Sequence, residues 1–162
     1  MSKLMDFYLV RHGEAKPEEE DPARPLSEQG RQEVIRAARK AAAMGVKAAE
    51  ILHSGKLRAK QTAEILAEHL SLSNGLSQKE GLKPLDDPGI AKEILEKSPE
   101  PLMLVGHLPH LSHLVSLLLS GDPEKGMVYF ETGAMVCLSR AENVENSWTL
   151  KWAISPKLIS HS

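Results

Sequence analysis

Four side chains with charged or nucleophilic groups stand where this sequence changes from apolar runs to polar residues. Arg11 and His12 directly follow the apolar run of residues 7–10, while Arg58 and His107 each come soon after a later apolar segment. An imidazole is able to form a covalent intermediate, and a guanidinium matches the oxygens of a phosphate. We therefore predict phosphoryl transfer to His12, with the other three side chains stabilising the transferring group.

If these side chains meet, they concentrate positive potential in a chain whose formal net charge is −2. Like charges held close together repel each other, so a cluster of this kind needs an anion. Helix N-termini after two of the strands would add backbone N–H donors, and Gly13 would let the backbone turn sharply or approach the ligand closely. The alternative is that these positions are ordinary junctions between strands and loops, because short motifs also occur by chance.

Strands must alternate with helices to bring these positions together. The apolar runs at residues 7–10 and 102–105 are typical of buried strands, and residues 49–53 predict a shorter one. Helical spacing of apolar residues predicts helices over about 28–44 and 56–70. This alternation predicts an α/β fold, a three-layer, mostly parallel sheet with helices on both faces. Right-handed crossovers would then place the carboxyl ends of the early strands on one rim.

The rest of the chain completes one predicted domain over residues 1–162, in keeping with its length. Its closing strands are expected to add an antiparallel edge, and residues 155–162 are interpreted as a tail. The remaining predicted elements are a short strand at 76–79, helices at 90–97 and 109–121, and strands at 127–130, 134–139 and 148–154.

Composition narrows the classes of partner and compartment. The small net charge gives no general attraction to nucleic acid or to anionic membranes. Cys137 is the one cysteine, which excludes an intrachain disulfide and fits a reducing compartment. No apolar run approaches the roughly 20 residues needed to span a bilayer, and the first residues do not resemble a secretory signal. We therefore expect a cytoplasmic protein.

Three motifs resemble those of the histidine phosphatase superfamily. Residues 9–14, LVRHGE, are similar to its opening motif; residues 54–63, SGKLRAKQTA, resemble its second arginine motif; and residues 105–107, VGH, resemble its second histidine motif. Within the superfamily, the short chain and residues 24–27, RPLS, resemble the SixA-type phosphohistidine phosphatases. The resemblance implies a phosphoglycerate mutase-like fold, a phosphohistidine intermediate on His12, and no metal or other cofactor.

The resemblance also has implications for the substrate and for the residue that protonates the leaving group. Little chain is left for a lid, which implies an open site suited to a phosphohistidine on another protein. Larger members use a glutamate after the second helix to protonate the leaving group. Glu80 is one candidate here and Asp21 is another. A nitrogen leaving group departs more easily than an alkoxide, so a weak or absent acid fits phosphohistidine better than a phosphate monoester.

Other readings of the same residues remain open at this point. A small phosphorylated metabolite is an alternative substrate, and a non-catalytic phosphate-binding module is a further alternative. His107, His110 and His113 could instead ligate zinc. However, each step of three residues rotates by about 300° around a helix, so the three side chains drift off one face. We expect His110 and His113 to be surface or helix-packing residues.

Overall fold

One mixed sheet of six strands runs through the computed structural model, which describes residues 3–158. The strands are β1 (Leu4–Arg11), β2 (Glu50–His53), β3 (Leu76–Gln78), β4 (Leu102–Gly106), β5 (Met135–Ala141) and β6 (Thr149–Ile154), and the helices are α1 (Glu28–Ala43), α2 (Leu57–His69), α3 (Pro88–Lys97) and α4 (His110–Ser120). The order across the sheet is β3-β2-β4-β1-β5-β6. The first four strands are parallel to one another, whereas β5 runs antiparallel to both of its neighbours. The predicted α/β fold with an antiparallel edge is confirmed.

Helices cover both faces of this sheet, as the alternating pattern predicts. Successive side chains of a strand point to opposite faces. Phe7 and Leu9 of β1 therefore pack in a cluster with α3 and α4, while Tyr8 and Val10 pack in a second cluster with α1 and α2. All four side chains are buried. β1 is thus covered on both sides, and its carboxyl end is held rigidly at the rim.

The segment at 127–130 differs from the expected strand. It follows α4 as irregular backbone, with Met127 and Tyr129 exposed and Phe130 fully buried. Its carbonyls bond to side chains instead of to another strand: Val128 accepts from Ser112 Oγ at 3.1 Å, and Phe130 accepts from Arg11. The apolar alternation in this segment reflects packing against the α3/α4 cluster, not strand pairing.

Smaller differences occur at the ends of elements. Pro109 precedes α4 as its N-cap, after a cis Leu108–Pro109 bond, and does not occupy the first helical position. A short 3-10 helix, Pro156–Leu158, occupies part of the segment interpreted as a tail, and Pro156 is buried. Residues 159–162 of that segment lie outside the described residues. Within residues 3–158, no helix is both long enough and apolar enough to cross a membrane.

Candidate active site

The ends of β1 and β4 place two histidines side by side. These parallel strands are in register with Arg11 opposite Gly106, and the backbone N–H of His12 donates to the Gly106 carbonyl at 3.0 Å. His12 and His107 therefore leave the sheet together, with their ring centroids 5.0 Å apart. The meeting of these two strand ends at one rim follows from the parallel pairing that the sequence predicts.

His12 is held in one orientation by its own loop. Its Nδ1 lies 2.7 Å from the Gly13 carbonyl oxygen, which only accepts, so Nδ1 carries the proton and Nε2 keeps a lone pair. Burial, with a smaller contribution from the nearby guanidiniums of Arg58 and Arg11, lowers the pKa of His12 to about 4. The ring is therefore neutral at pH 7, which is the form required of a nucleophile.

Gly13 serves packing against α1. A Cβ atom at this position would lie 2.6 Å from Cγ2 of Val34 and 3.2 Å from the Gly30 carbonyl oxygen, both on α1. The sequence suggests a sharp turn or a close approach to ligand at this glycine. In the structure, its missing side chain lets the end of β1 approach a helix.

His107 is oriented by a serine from the neighbouring strand end. Ser54 follows β2, and its Oγ lies 2.6 Å from Nε2 of His107. The same Oγ accepts from the Lys56 backbone N–H at 3.3 Å, so its single proton is available for Nε2. This arrangement leaves the proton of a neutral His107 on Nδ1, which is buried and has no hydrogen-bond partner among the described residues. Burial, with the charges of His12 and Arg58, lowers the pKa of His107 to about 3.

The two arginines also present nitrogen atoms without partners. Arg11 donates from Nη1 to the Phe130 carbonyl at 2.9 Å, but its buried Nε has no acceptor within residues 3–158. Arg58 lies in the first turn of α2, and its buried Nε likewise has no acceptor in this described part of the chain. Burial lowers the pKa of Arg58, with a smaller effect from the positive charge of Arg24. The rim thus offers several unpaired N–H donors to an anion.

Thr62 connects two of the segments that form this site. Its Oγ1 accepts from the Gly13 backbone N–H at 3.0 Å and donates to the Arg58 carbonyl at 2.8 Å. Thr62 is fully buried. A single interior hydroxyl therefore connects the loop after His12 to the helical turn that carries Arg58.

The helices that begin at the site differ from the other two helices in how their N-termini are capped. α1 is capped by the Ser27 side chain, and α3 by the Asp87 side chain. In contrast, no side chain within residues 3–158 caps the start of α2 or α4, and neither helix has an acidic residue in its first turn. Free N–H groups at a helix N-terminus attract anions. These two helices begin directly after the segments that carry Ser54 and His107.

Arg24 is a further cation that sequence reasoning did not place in the site. Its backbone has a φ of 50°, a left-handed conformation that is uncommon for a residue with a side chain. Its Nε donates to the Lys16 carbonyl at 3.1 Å, and its charge lowers the pKa values of His12 and Arg58. In the sequence, Arg24 is distinguished only by its place in residues 24–27, RPLS, which resemble a family motif and do not indicate a role for Arg24 in the site.

The two candidate acids, Asp21 and Glu80, form no hydrogen bond to His12 or His107 within the described residues. Asp21 accepts through Oδ1 from the Ala23 backbone N–H at 3.0 Å, in the turn before Arg24. Glu80 is exposed and makes no side-chain hydrogen bond within residues 3–158. The assignment of either residue as an acid stays a prediction.

The zinc alternative is not supported by the arrangement of the histidines. No group of three or more histidine, cysteine, aspartate or glutamate residues in the described part of the chain could hold a metal ion. His107 bonds to Ser54, and His110 is packed inside the protein at 1% exposure. His110 is therefore a helix-packing residue, as expected.

Comparison with known proteins agrees with this fold and site. A sequence profile of the histidine phosphatase superfamily (branch 1) matches residues 7–86. The chain is 27% identical to the phosphohistidine phosphatase SixA of Escherichia coli (strain K12) over 157 residues, which cover 94% of each protein. It is 31% identical to an uncharacterized protein of Picosynechococcus sp. over 153 residues, covering 86% of this chain and 92% of that protein. A solved structure of the protein histidine phosphatase SixA with tungstate superposes with a TM-score of 0.81 at 27% identity, covering 94% of this chain and 98% of that one.

The order and direction of the strands, together with these matches, show that the chain has the phosphoglycerate mutase-like fold of the histidine phosphatases. The chain belongs to the histidine phosphatase superfamily, branch 1, as its three motifs indicate. This membership supports phosphatase activity, which is a hydrolase reaction. Within the superfamily, the chain is similar to SixA along nearly its whole length.

Proposed function

We propose that this protein is a phosphohistidine phosphatase whose substrate is a phosphohistidine on another protein. The observation that carries the proposal is the neutral His12, whose Nε2 is free while its Nδ1 is bound by Gly13. Around it lie three side chains, each of which keeps a buried nitrogen with no hydrogen-bond partner in the part of the chain that the structure describes: Arg11 Nε, Arg58 Nε and His107 Nδ1. A phosphoryl group beside His12 would supply acceptors for these donors.

The reaction takes place in two displacements. In the first, Nε2 of His12 attacks phosphorus, a P–N bond to His12 forms, and the P–N bond of the substrate breaks. The leaving imidazole takes up a proton from solvent. In the second, a water molecule attacks the phosphoryl group and loses a proton to solvent. The P–N bond to His12 breaks, neutral His12 is restored, and inorganic phosphate leaves with the oxygen of water. Each step needs a nucleophile in line with phosphorus and charge stabilisation on the other oxygens.

The surrounding side chains provide that stabilisation. Arg11 and Arg58 carry fixed positive charge, and a guanidinium fork contacts two phosphate oxygens at once. His107, neutral at pH 7, donates from Nδ1, while Ser54 keeps its Nε2 engaged. Removing one preorganised donor of this kind reduces rate by about 10²–10³-fold.

Two arguments favour phosphohistidine over a phosphate monoester as the substrate: the chemistry of the leaving group and the name of a similar protein. Within residues 3–158, neither Asp21 nor Glu80 forms a hydrogen bond to His12 or His107, and a nitrogen leaving group depends less on an acid than an alkoxide does. The SixA of Escherichia coli is a phosphohistidine phosphatase by name, and the SixA structure holds tungstate, a tetrahedral oxyanion like phosphate.

Rapid-quench labelling tests this proposal. A peptide with a radiolabelled phosphohistidine is mixed with the protein, and the protein is analysed for label that is stable in alkali and lost in acid. We expect transient label on wild-type protein and release of phosphate, with neither in His12→Ala. His69→Ala, on the last turn of α2, is the matched control and should behave as wild type.

Three outcomes would contradict parts of the proposal. Equal turnover by His12→Ala and wild type would remove the nucleophile assignment. Binding of phosphate without any turnover would indicate a non-catalytic module. Faster hydrolysis of a panel of sugar phosphates than of the peptide would identify a small phosphorylated metabolite as the substrate.

A further inference from the structure

A cationic cleft adjoins the candidate active site. It has a volume of about 490 Å³ and shares Ser54 and Arg58 with the site. Beyond these two residues, its walls carry three more positive side chains, Arg24, Lys56 and Lys83. Glu18 is the one carboxylate among its lining residues. The cleft is therefore strongly positive, although the whole chain has a formal net charge of −2.

The two lysines of this cleft have no role within the described fold. Both are exposed. The salt bridges found in residues 3–158 join Lys97 to Glu93 and Lys151 to Asp6, which lie elsewhere. Among residues 3–158, Lys56 and Lys83 form hydrogen bonds only through their backbone N–H and carbonyl groups. Their ammonium groups are free to meet charges on another molecule.

We propose that this cleft binds carboxylates on the protein that carries the phosphohistidine. This inference rests on the proposed function and names the chemistry of the partner surface: aspartate and glutamate side chains beside the phosphorylated residue. Complementary charge across an interface speeds encounter and selects partners. Arg58 links the two regions, because it lies both in the cleft and at the phosphoryl site.

The chemistry of the cleft favours carboxylates on a flexible protein surface over a second phosphate of a small molecule. A fixed phosphate is matched by preorganised guanidinium forks, whereas an ammonium is a hydrated point charge on a flexible stem. Lys56 and Lys83 are of the second kind. Apolar side chains also adjoin them: Leu57 lines the cleft, and Leu85, two residues after Lys83, is 88% exposed. An exposed leucine next to positive charge suits contact with a macromolecule.

A pair of phosphohistidine peptides tests the inference. The peptides have the same length; one has aspartates on both sides of the phosphohistidine, and the other has asparagines at those positions. We expect wild type to hydrolyse the aspartate peptide with about tenfold higher kcat/KM at low salt, since the two aspartates form two exposed ion pairs and each changes binding by up to about fivefold. In Lys56→Ala/Lys83→Ala this preference should fall at least threefold, chiefly through KM. Charge reversal in Lys56→Glu/Lys83→Glu should favour the asparagine peptide.

Lys40→Ala/Lys125→Ala is the matched control, because it removes the same charge from two exposed lysines outside the cleft. The preference for the aspartate peptide should persist in this control. In wild type, the preference should weaken at about 1 M salt, where screening of charges is strong. An unchanged preference in Lys56→Ala/Lys83→Ala would overturn the inference. Loss of turnover of both peptides in His12→Ala supports the proposed phosphatase function by itself. The phosphatase function and the carboxylate-binding cleft are therefore tested by different results.

Discussion

The hydroxyl of Ser54 lies 2.6 Å from Nε2 of His107, so a residue at the end of β2 orients a histidine at the end of β4. Both side chains are buried at the rim. Because the partner of one ring nitrogen determines which nitrogen carries the proton, this contact sets the donor that His107 presents at Nδ1.

Removal of the Ser54 hydroxyl should therefore impair His107 without changing the nucleophile. We expect Ser54→Ala to reduce kcat about tenfold, which corresponds to one hydrogen bond of about 1.4 kcal/mol. Nitrogen NMR of His107 should show a mixture of tautomers in this variant. Ser54→Thr keeps a hydroxyl and should restore most of the activity. Wild-type kcat and a single tautomer in Ser54→Ala would show that Ser54 has no positioning role.

Arg58 is expected to act in binding and in rate alike. Arg58→Ala removes a charge needed in both the ground state and the transition state, and should lower kcat/KM by about 10²–10³-fold. Vanadate or phosphate binding, measured by calorimetry, should weaken in parallel. Arg58→Lys keeps the charge but loses the fork, so its activity should be intermediate. Arg39→Ala, an exposed arginine on α1, is the control. An unchanged kcat/KM in Arg58→Ala would mean that Arg58 does not contact the phosphoryl group.

The titration of His12 can be followed directly. Burial lowers its pKa from 6.5 to about 4 in the folded protein, so the imidazole should remain neutral in NMR spectra down to about pH 5. Between these two pKa values the unfolded chain binds the proton and the folded protein does not. Stability should thus rise with pH across this window and fall as pH drops toward 4.

His12→Asn should remove this part of the pH dependence, which amounts to roughly 3 kcal/mol for the full shift. Denaturant unfolding at pH 7 and at pH 4.5 measures the difference for wild type and variant. The same slope in both proteins, or a normal histidine titration near pH 6.5, would contradict a buried neutral His12.

Two substitutions separate the possible roles of Asp21. Its carboxylate accepts from the Ala23 N–H in the turn that precedes Arg24. Asp21→Asn keeps an acceptor at this position but has no acid, whereas Asp21→Ala has neither. If Asp21 acts only through the turn, phosphohistidine hydrolysis should be within about threefold of wild type in Asp21→Asn. It should be lower in Asp21→Ala, by about one hydrogen bond. Equal, large losses in both variants would identify Asp21 as the acid.

The sequence predicts the parts of this fold that depend on local pattern. The continuous apolar runs of β1 and β4 indicate strands buried on both faces, and the parallel pairing that follows brings His12 and His107 together. The helical spacing before and after β2 likewise locates α1 and α2 within a residue or two of their bounds.

Other features depend on contacts between distant residues and leave little local trace. The left-handed backbone of Arg24 is set by bonds to Asp21 and Lys16 in its loop, so residue type alone does not indicate it. The bond between Ser54 and His107 spans 53 positions. The expected strand at 127–130 fails because apolar alternation does not distinguish strand pairing from carbonyls that bond to side chains.

Thr62 gives the site a property that its surface does not reveal. Its hydroxyl accepts from the backbone of Gly13, next to the proposed nucleophile, and donates to the backbone of Arg58, from a fully buried position. The backbones of these two segments are consequently tied together in the interior and not at the surface. Exposed residues around the rim can therefore change to suit new phosphorylated partners while this backbone link stays the same.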